Sequence, residues 1–177
     1  MACDLTLGRI EPCHDQSGGI KAVYFVNYEA GLEASATFDA NNQITAFASA
    51  LTLFKYEVRG GNNSFEETNE KSRENGTSFW TQTGTLSLKK QDVASHKELR
   101  IATHGTPHVI IEDYNGNFLM AGLENGCSVS VSTTTGTGMG DFTGYNVTFT
   151  GQESSMASFV TASIIDDTTN TSVTEGV

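Results

Sequence analysis

Neither Lys nor Arg occurs anywhere after Arg100. Residues 101–177 carry eight acidic side chains and no basic one, a balance of −8, whereas residues 1–100 carry 13 acidic and all 10 basic ones, a balance of −3. A chain so poor in cations has no basic face with which to hold nucleic acid by neutralising phosphates, or to sit on anionic lipid. Proline is nearly absent, with two residues against 18 glycines, so turns must be made by Gly and Asn. The three cysteines, Cys3, Cys13 and Cys127, are odd in number and too sparse for a disulfide framework, and free thiols in a reducing cytoplasm are expected. No apolar run approaches the ~20 residues of a membrane helix. The opening Met1-Ala2-Cys3-Asp4-Leu5 has neither the basic nor the apolar region of a secretory signal, so export is not expected. The sequons at Asn62, Asn75, Asn146 and Asn170 then follow from a Ser/Thr/Asn-rich composition.

What is present suffices for a core. Hydrophobic residues make up 37% of 177 residues, and one domain over 1–177 is expected to bury about two thirds of its unfolded surface. Residues 1–19 read as an arm. Ile20 to Tyr28 is β-branched and aromatic and reads as a strand, and Asn41-Asn42 as a turn between short strands. From Leu51 to Val58 the pattern alternates: Thr52, Phe54, Tyr56 and Val58 share one face, and Leu51, Leu53, Lys55 and Glu57 the other. Residues 60–76 are rich in charge and read as a long loop between strands. Thr77 to Lys90 reads as a strand, with Leu86 and Leu88 on one face. A helix is expected near 92–104, opened by a Ser95/Glu98 capping box, with Leu99 and Ala102 facing the core and Gly105 and Pro107 ending it. Asn115-Gly116 between apolar runs predicts a type I′ hairpin. Further strands are expected at 126–133, Tyr145 to Gln152 (Val147 and Phe149 inward) and 157–165, followed by a polar tail over 161–177 that is loose unless a neighbour orders it. The expected fold is mainly β: a β-sandwich or partly closed β-barrel of seven to nine strands with one flanking α-helix.

No constellation points to catalysis. His104, His108 and Glu112 have helical metal spacing, but Gly105 and Pro107 interrupt it and the segment is strand-like. Asp113, Asn115, Asn117 and Glu124 match calcium-loop positions, but Phe118 stands where Gly is required. Gly136-x-Gly138-x-Gly140 is followed by Asp141 and a strand, not by the helix a phosphate loop needs. Cys13, His14 and Asp15 lack a fixed third group for thiol catalysis. No catalytic, cofactor or metal site is expected. The mixed charges Glu66, Glu67, Glu70, Lys71, Arg73 and Glu74 suit register-specific contact with another subunit.

The segments IEPCHDQSGGIKAVYFVNY, SFEETNEKSRENGTSFWTQTGTLSLKKQD and GDFTGYNVTFTGQE resemble tail tube proteins of tailed bacteriophages, of the type found in phages of Bacteroidetes hosts, over most of residues 9–160. The resemblance implies a structural virion protein forming hexameric rings that stack into a tube. An inner sheet from each copy would line an acidic lumen, through which DNA passes without specific binding. It implies assembly in the bacterial host cytoplasm and residence in the virion tail. The implied partners are further copies of the chain and the tape measure, tail terminator and baseplate proteins, with no membrane and no cofactor. Stacking contacts are expected from 60–76, through the six charged residues above, and from the arm, through Asp4, Arg9 and Glu11. The lumen wall is expected to use strands after residue 100 together with Ile20 to Tyr28 or Thr77 to Lys90. The competing readings are a head decoration or connector protein, and a carbohydrate-binding sandwich with Phe79 and Trp80 as its aromatic platform.

Overall fold

The computed structural model of the chain describes residues 7–166 and 171–175. In chain order the elements are β1 (Ile20–Val26), α1 (Leu32–Ser35), β2 (Ala36–Phe38), β3 (Ile44–Phe47), β4 (Leu51–Glu57), β5 (Ser64–Ser72), β6 (Thr77–Lys89), α2 (Val93–Ala102), β7 (His108–Asp113), β8 (Phe118–Ala121), β9 (Cys127–Thr134), β10 (Gly144–Glu153), β11 (Ser158–Val160), α3 (Ala162–Asp166) and β12 (Thr171–Glu175). The protein is mainly β, with two sheets and few helices. The larger sheet has the order β12-β4-β1-β7-β8-β11-β3-β2, and the smaller has the order β5-β6-β10-β9. Each has two end strands, and no closed barrel is found among the described residues.

Two cores lie on the two faces of the larger sheet. Ala22, Tyr24, Val26, Leu53, Ile110 and Met120 point to one face, where Ile164 and Ile165 of α3 and Leu32 of α1 join them. Val23, Phe25, Val109 and Ile111 point to the other and meet Leu86, Val129, Val147 and Phe149 of the smaller sheet. β1 and β7 are therefore buried on both faces, which is why VYFV and HVII do not alternate. β4 alternates as its sequence predicts, with Leu51 and Leu53 in the first core and Phe54, Tyr56 and Val58 at the second.

Five local expectations are corrected. Residues 60–76 are not a long loop: Ser64–Ser72 is a nine-residue strand paired antiparallel to β6. An end strand pairs through its backbone and needs few apolar side chains, and charge along it discourages aggregation. The cap of α2 is Asp92, whose carboxylate accepts the Ser95 N–H at 2.8 Å, so the helix starts three residues before a Ser95/Glu98 box would start it. The Asn115-Gly116 hairpin turns with positive φ at Gly116 alone. Asp113 and Asn117 close a three-residue loop, with Asp113 N–H donating to Asn117 O and Gly116 N–H to Asp113 O. That pattern is a type I turn followed by a bulge. Residues 157–165 split into β11 and α3, and the described part of the tail, β12, lies parallel beside β4. Twelve strands and three helices thus occur among the described residues, and Val93–Ala102 is the only helix longer than five of them.

Candidate functional site

The smaller sheet has two different faces. Its inner face is apolar. Phe149 is fully buried, T-shaped against Phe25 at 6.4 Å and stacked with Phe65 at 6.3 Å. The ring fits because residue 84 is Gly: a Cβ there would lie 2.1 Å from Phe149 Cζ.

On the outer face, β9, β10 and most of β6 carry hydroxyl and amide side chains, while Glu66 and Glu70 of β5 and Phe79 and Lys89 of β6 share that face. Across β5, β6, β10 and β9 the register lines up Ser64, Thr85, Thr148 and Ser130 in one row and Glu66, Thr83, Thr150 and Ser128 in the next. Ser87, Asn146 and Ser132 form a third row, with Ser87 Oγ 3.0 Å from Asn146 Oδ1. On β9 and β10 no outer position is charged or apolar. The eight acidic residues of the basic-free half lie elsewhere. Glu112 is buried in the larger sheet, Asp113 ends β7 at the hairpin, and Glu124 and Asp141 lie in the segments between strands. Glu153 faces inward, Asp166 ends α3, Glu175 is in β12, and Asp167 lies outside the described residues. The charge asymmetry therefore does not make this face acidic. β1, the alternative wall strand, is covered on both sides by the two cores along Ala22 to Val26, and only Lys21 of it is exposed.

The six charged candidates of 66–74 do not share one face. Glu66 and Glu70 are outward, and Glu70 Oε1 accepts the Thr81 hydroxyl at 2.8 Å. Glu67 points inward and accepts the Ala157 N–H at 2.7 Å, tying β5 to the segment before β11. Lys71 is exposed at the inner side of the hairpin's far end, and Arg73 and Glu74 are in its turn. Among the described residues no ion pair engages Lys71 or Arg73. In the arm, Arg9 and Glu11 are exposed without regular structure, beside Leu7 and Ile10 at 89% and 91% exposure. Asp4 lies outside the described residues. The arm's base is fixed to the β7–β8 turn: Ser17 N–H donates to Asn115 Oδ1 at 2.9 Å, and Asn115 Nδ2 donates to Ser17 O at 2.8 Å.

The motifs with catalytic or metal-binding spacing have structural partners instead. His108 Nε2 accepts the Glu29 N–H at 3.1 Å, which leaves Nδ1–H to donate to Gly122 O, and Tyr28 stacks on the ring at 5.2 Å. Glu112 receives Lys21 Nζ on one oxygen and the Tyr24 hydroxyl on the other, at 2.8 Å. Burial and the neighbouring carboxylate push the Tyr24 phenol up. Asp113 accepts both Asn115 and Asn117 N–H groups, so three of the apparent calcium ligands satisfy one another, while Glu124 accepts the Ser154 hydroxyl. In the glycine loop the Thr137 and Gly138 N–H groups are filled by Asp141 Oδ2, and these bonds hold its carboxyl below the usual range. Cys127 is buried and its thiol is pushed up to about 12, chiefly by desolvation. Among the described residues no group of three His, Cys, Asp or Glu could hold a metal, and no helix is long and apolar enough to cross a membrane.

Phe79 and Trp80 are neighbours on one strand and so lie on opposite faces of the smaller sheet. They cannot form one aromatic platform. Sequence reasoning missed the hydroxyl rows, although their signal was present as a period of two in Thr81-Gln82-Thr83-Gly84-Thr85-Leu86-Ser87 and Ser128-Val129-Ser130-Val131-Ser132. Comparison of the chain with protein-family models, with curated proteins and with solved structures finds no match.

Proposed function

We propose that the chain is a structural virion protein that assembles head to tail into hexameric rings, which stack into the tail tube of a tailed bacteriophage and conduct DNA. The observation that carries this reading is the smaller sheet itself. It ends in two strands of nearly equal length, β5 with nine residues and β9 with eight, each with no strand on its outer side among the described residues. All its pairings are antiparallel, so its four strands alternate in direction and β9 runs opposite to β5. Placing β9 of one copy beside β5 of the next continues an antiparallel sheet without reversal. Such pairing satisfies the open N–H and C=O groups of both edges, and a head-to-tail contact that closes makes a ring.

In this assembly the arm and the far end of the β5–β6 hairpin, with Arg9, Glu11, Lys71, Arg73 and Glu74, contact the next ring. Glu66 and Glu70 lie at the seam between neighbours. The three segments that resemble tail tube proteins support the same reading. The tape measure, terminator and baseplate proteins are its expected partners, and the host cytoplasm its place of assembly. Sedimentation velocity at rising protein concentration tests the proposal: a series of polymers is expected, and a single monomer at every concentration counts against it.

A further inference from the structure

We infer that Asn75, in the turn of the β5–β6 hairpin, is a site of spontaneous deamidation, and that the fold shields the other two Asn-Gly pairs of the chain from the same reaction. The pairs are Asn75-Gly76, Asn115-Gly116 and Asn125-Gly126. In each, the glycine backbone nitrogen, losing its proton, can attack the asparagine Cγ. A C–N bond forms, the side-chain nitrogen leaves as ammonia, and a five-membered succinimide results. Water then adds to either ring carbonyl and opens the ring. The product is an aspartyl residue, or an isoaspartyl one in which the chain runs through the side-chain carbon. Glycine favours the step because it has no Cβ to hinder its nitrogen and leaves the backbone free to turn.

The intrinsic chemistry is the same three times, and what differs is restraint. The Asn115 side chain is held at both ends: Oδ1 accepts Ser17 N–H at 2.9 Å, and Nδ2 donates to Ser17 O at 2.8 Å and to Asp113 Oδ2 at 3.2 Å. Its nucleophile is also engaged, since Gly116 N–H donates to Asp113 O at 3.4 Å. At the third pair, Asn125 Nδ2 donates to Gln152 O at 3.0 Å and Gly126 N–H to Gly122 O at 3.1 Å. Gly126 is buried so close to Thr106 that a Cβ there would lie 2.2 Å from Thr106 O, which leaves the backbone no room to swing into a ring. Asn75 has none of this. Its N–H donates to Ser72 Oγ at 3.3 Å, but neither its side chain nor Gly76 N–H makes a hydrogen bond among the described residues. Both residues are exposed, and nothing lies within 4 Å of the place a Cβ would take at Gly76. Gly116 is equally open, so the contrast between these two pairs isolates the hydrogen bonds. Conversion puts a new carboxylate next to Glu74, in the turn that carries Arg73. The inference does not depend on the ring assembly.

The experiment incubates the full-length chain, dilute and folded, in mildly alkaline buffer, beside the same chain in denaturant. Proteolytic peptides are quantified by mass spectrometry, with isoaspartate identified by enzymatic methylation. In the folded chain Asn75 is expected to convert at least about tenfold faster than Asn115 or Asn125, because ring closure at those two must first break their hydrogen bonds. In denaturant the three are expected to convert at comparable rates. Asn75→Gln is expected to remove the early acidic species that isoelectric focusing resolves in the folded chain. Conversion of Asn75 no faster than the other two in the folded chain overturns the inference. So does the same preference for Asn75 in denaturant, which would assign the selectivity to sequence neighbours and not to the fold. Early acidic species undiminished in Asn75→Gln would also overturn it.

Discussion

The ring of Phe149 occupies the space where residue 84 would carry a Cβ: that atom would stand 2.1 Å from Phe149 Cζ. Gly84 and Phe149 are directly paired across β6 and β10, and the same ring contacts Phe25 of the larger sheet. One glycine thus sets how closely the two sheets approach. Gly84→Ala is expected to destabilise the protein by about 1–3 kcal/mol through overpacking, and Phe149→Ala by about 3–5 kcal/mol through the cavity left behind. Because the residues touch, Gly84→Ala should cost less when Phe149 is already Leu. Urea unfolding of the double-mutant cycle measures this coupling, and strict additivity would show that the notch is not shared.

The start of α2 gives a second prediction. Asp92→Ala removes the carboxylate that accepts Ser95 N–H and is expected to lower Tm, whereas Glu98→Gln leaves it nearly unchanged. Equal losses in thermal melts would restore the Ser95/Glu98 box.

How far the sequence foretold the fold depended on whether side chains or backbone decided each element. Leu51 to Glu57 was legible because its two faces meet two different cores. Ser64–Ser72 was not, because an end strand is held by backbone bonds to β6 while its side chains stay wet. The hydroxyl rows escaped notice for a related reason: Ser and Thr at period two mark a solvated sheet face, and only register aligns three strands of them. The imbalance after Arg100 located a half of the chain but no surface, since its acids were spent on turns, an inward carboxylate and a buried carboxylate paired with the exposed Lys21.

Glu153 gives a pH prediction. Its carboxylate is buried, accepts the Glu124 and Asn125 N–H groups at 2.9 and 3.0 Å, and is raised above its ordinary value mainly by desolvation. The folded state therefore binds this proton more tightly than the unfolded one. Its contribution to stability is full below the unfolded value of 4.5 and is lost as pH rises through the folded value. Glu153→Gln should flatten the stability profile just above that pH, even though Gln offers one acceptor oxygen fewer. Denaturant titrations at stepped pH measure it, and an unchanged slope would remove Glu153 from the account.

Removing residues 62–75 would delete β5 together with Phe65 and uncover Phe149, so charge reversal is the cleaner probe of the hairpin. Lys71→Glu with Arg73→Glu should leave unfolding unchanged and raise the concentration needed for assembly about tenfold, equivalent to ~1.4 kcal/mol. Light scattering against protein concentration measures this, and assembly at the original concentration would assign the contact elsewhere.

Negative-stain electron microscopy of the purified full-length chain tests the central claim most directly. Hollow tubes built of stacked six-membered rings are the predicted result; a field of single compact particles at every concentration and salt would contradict it.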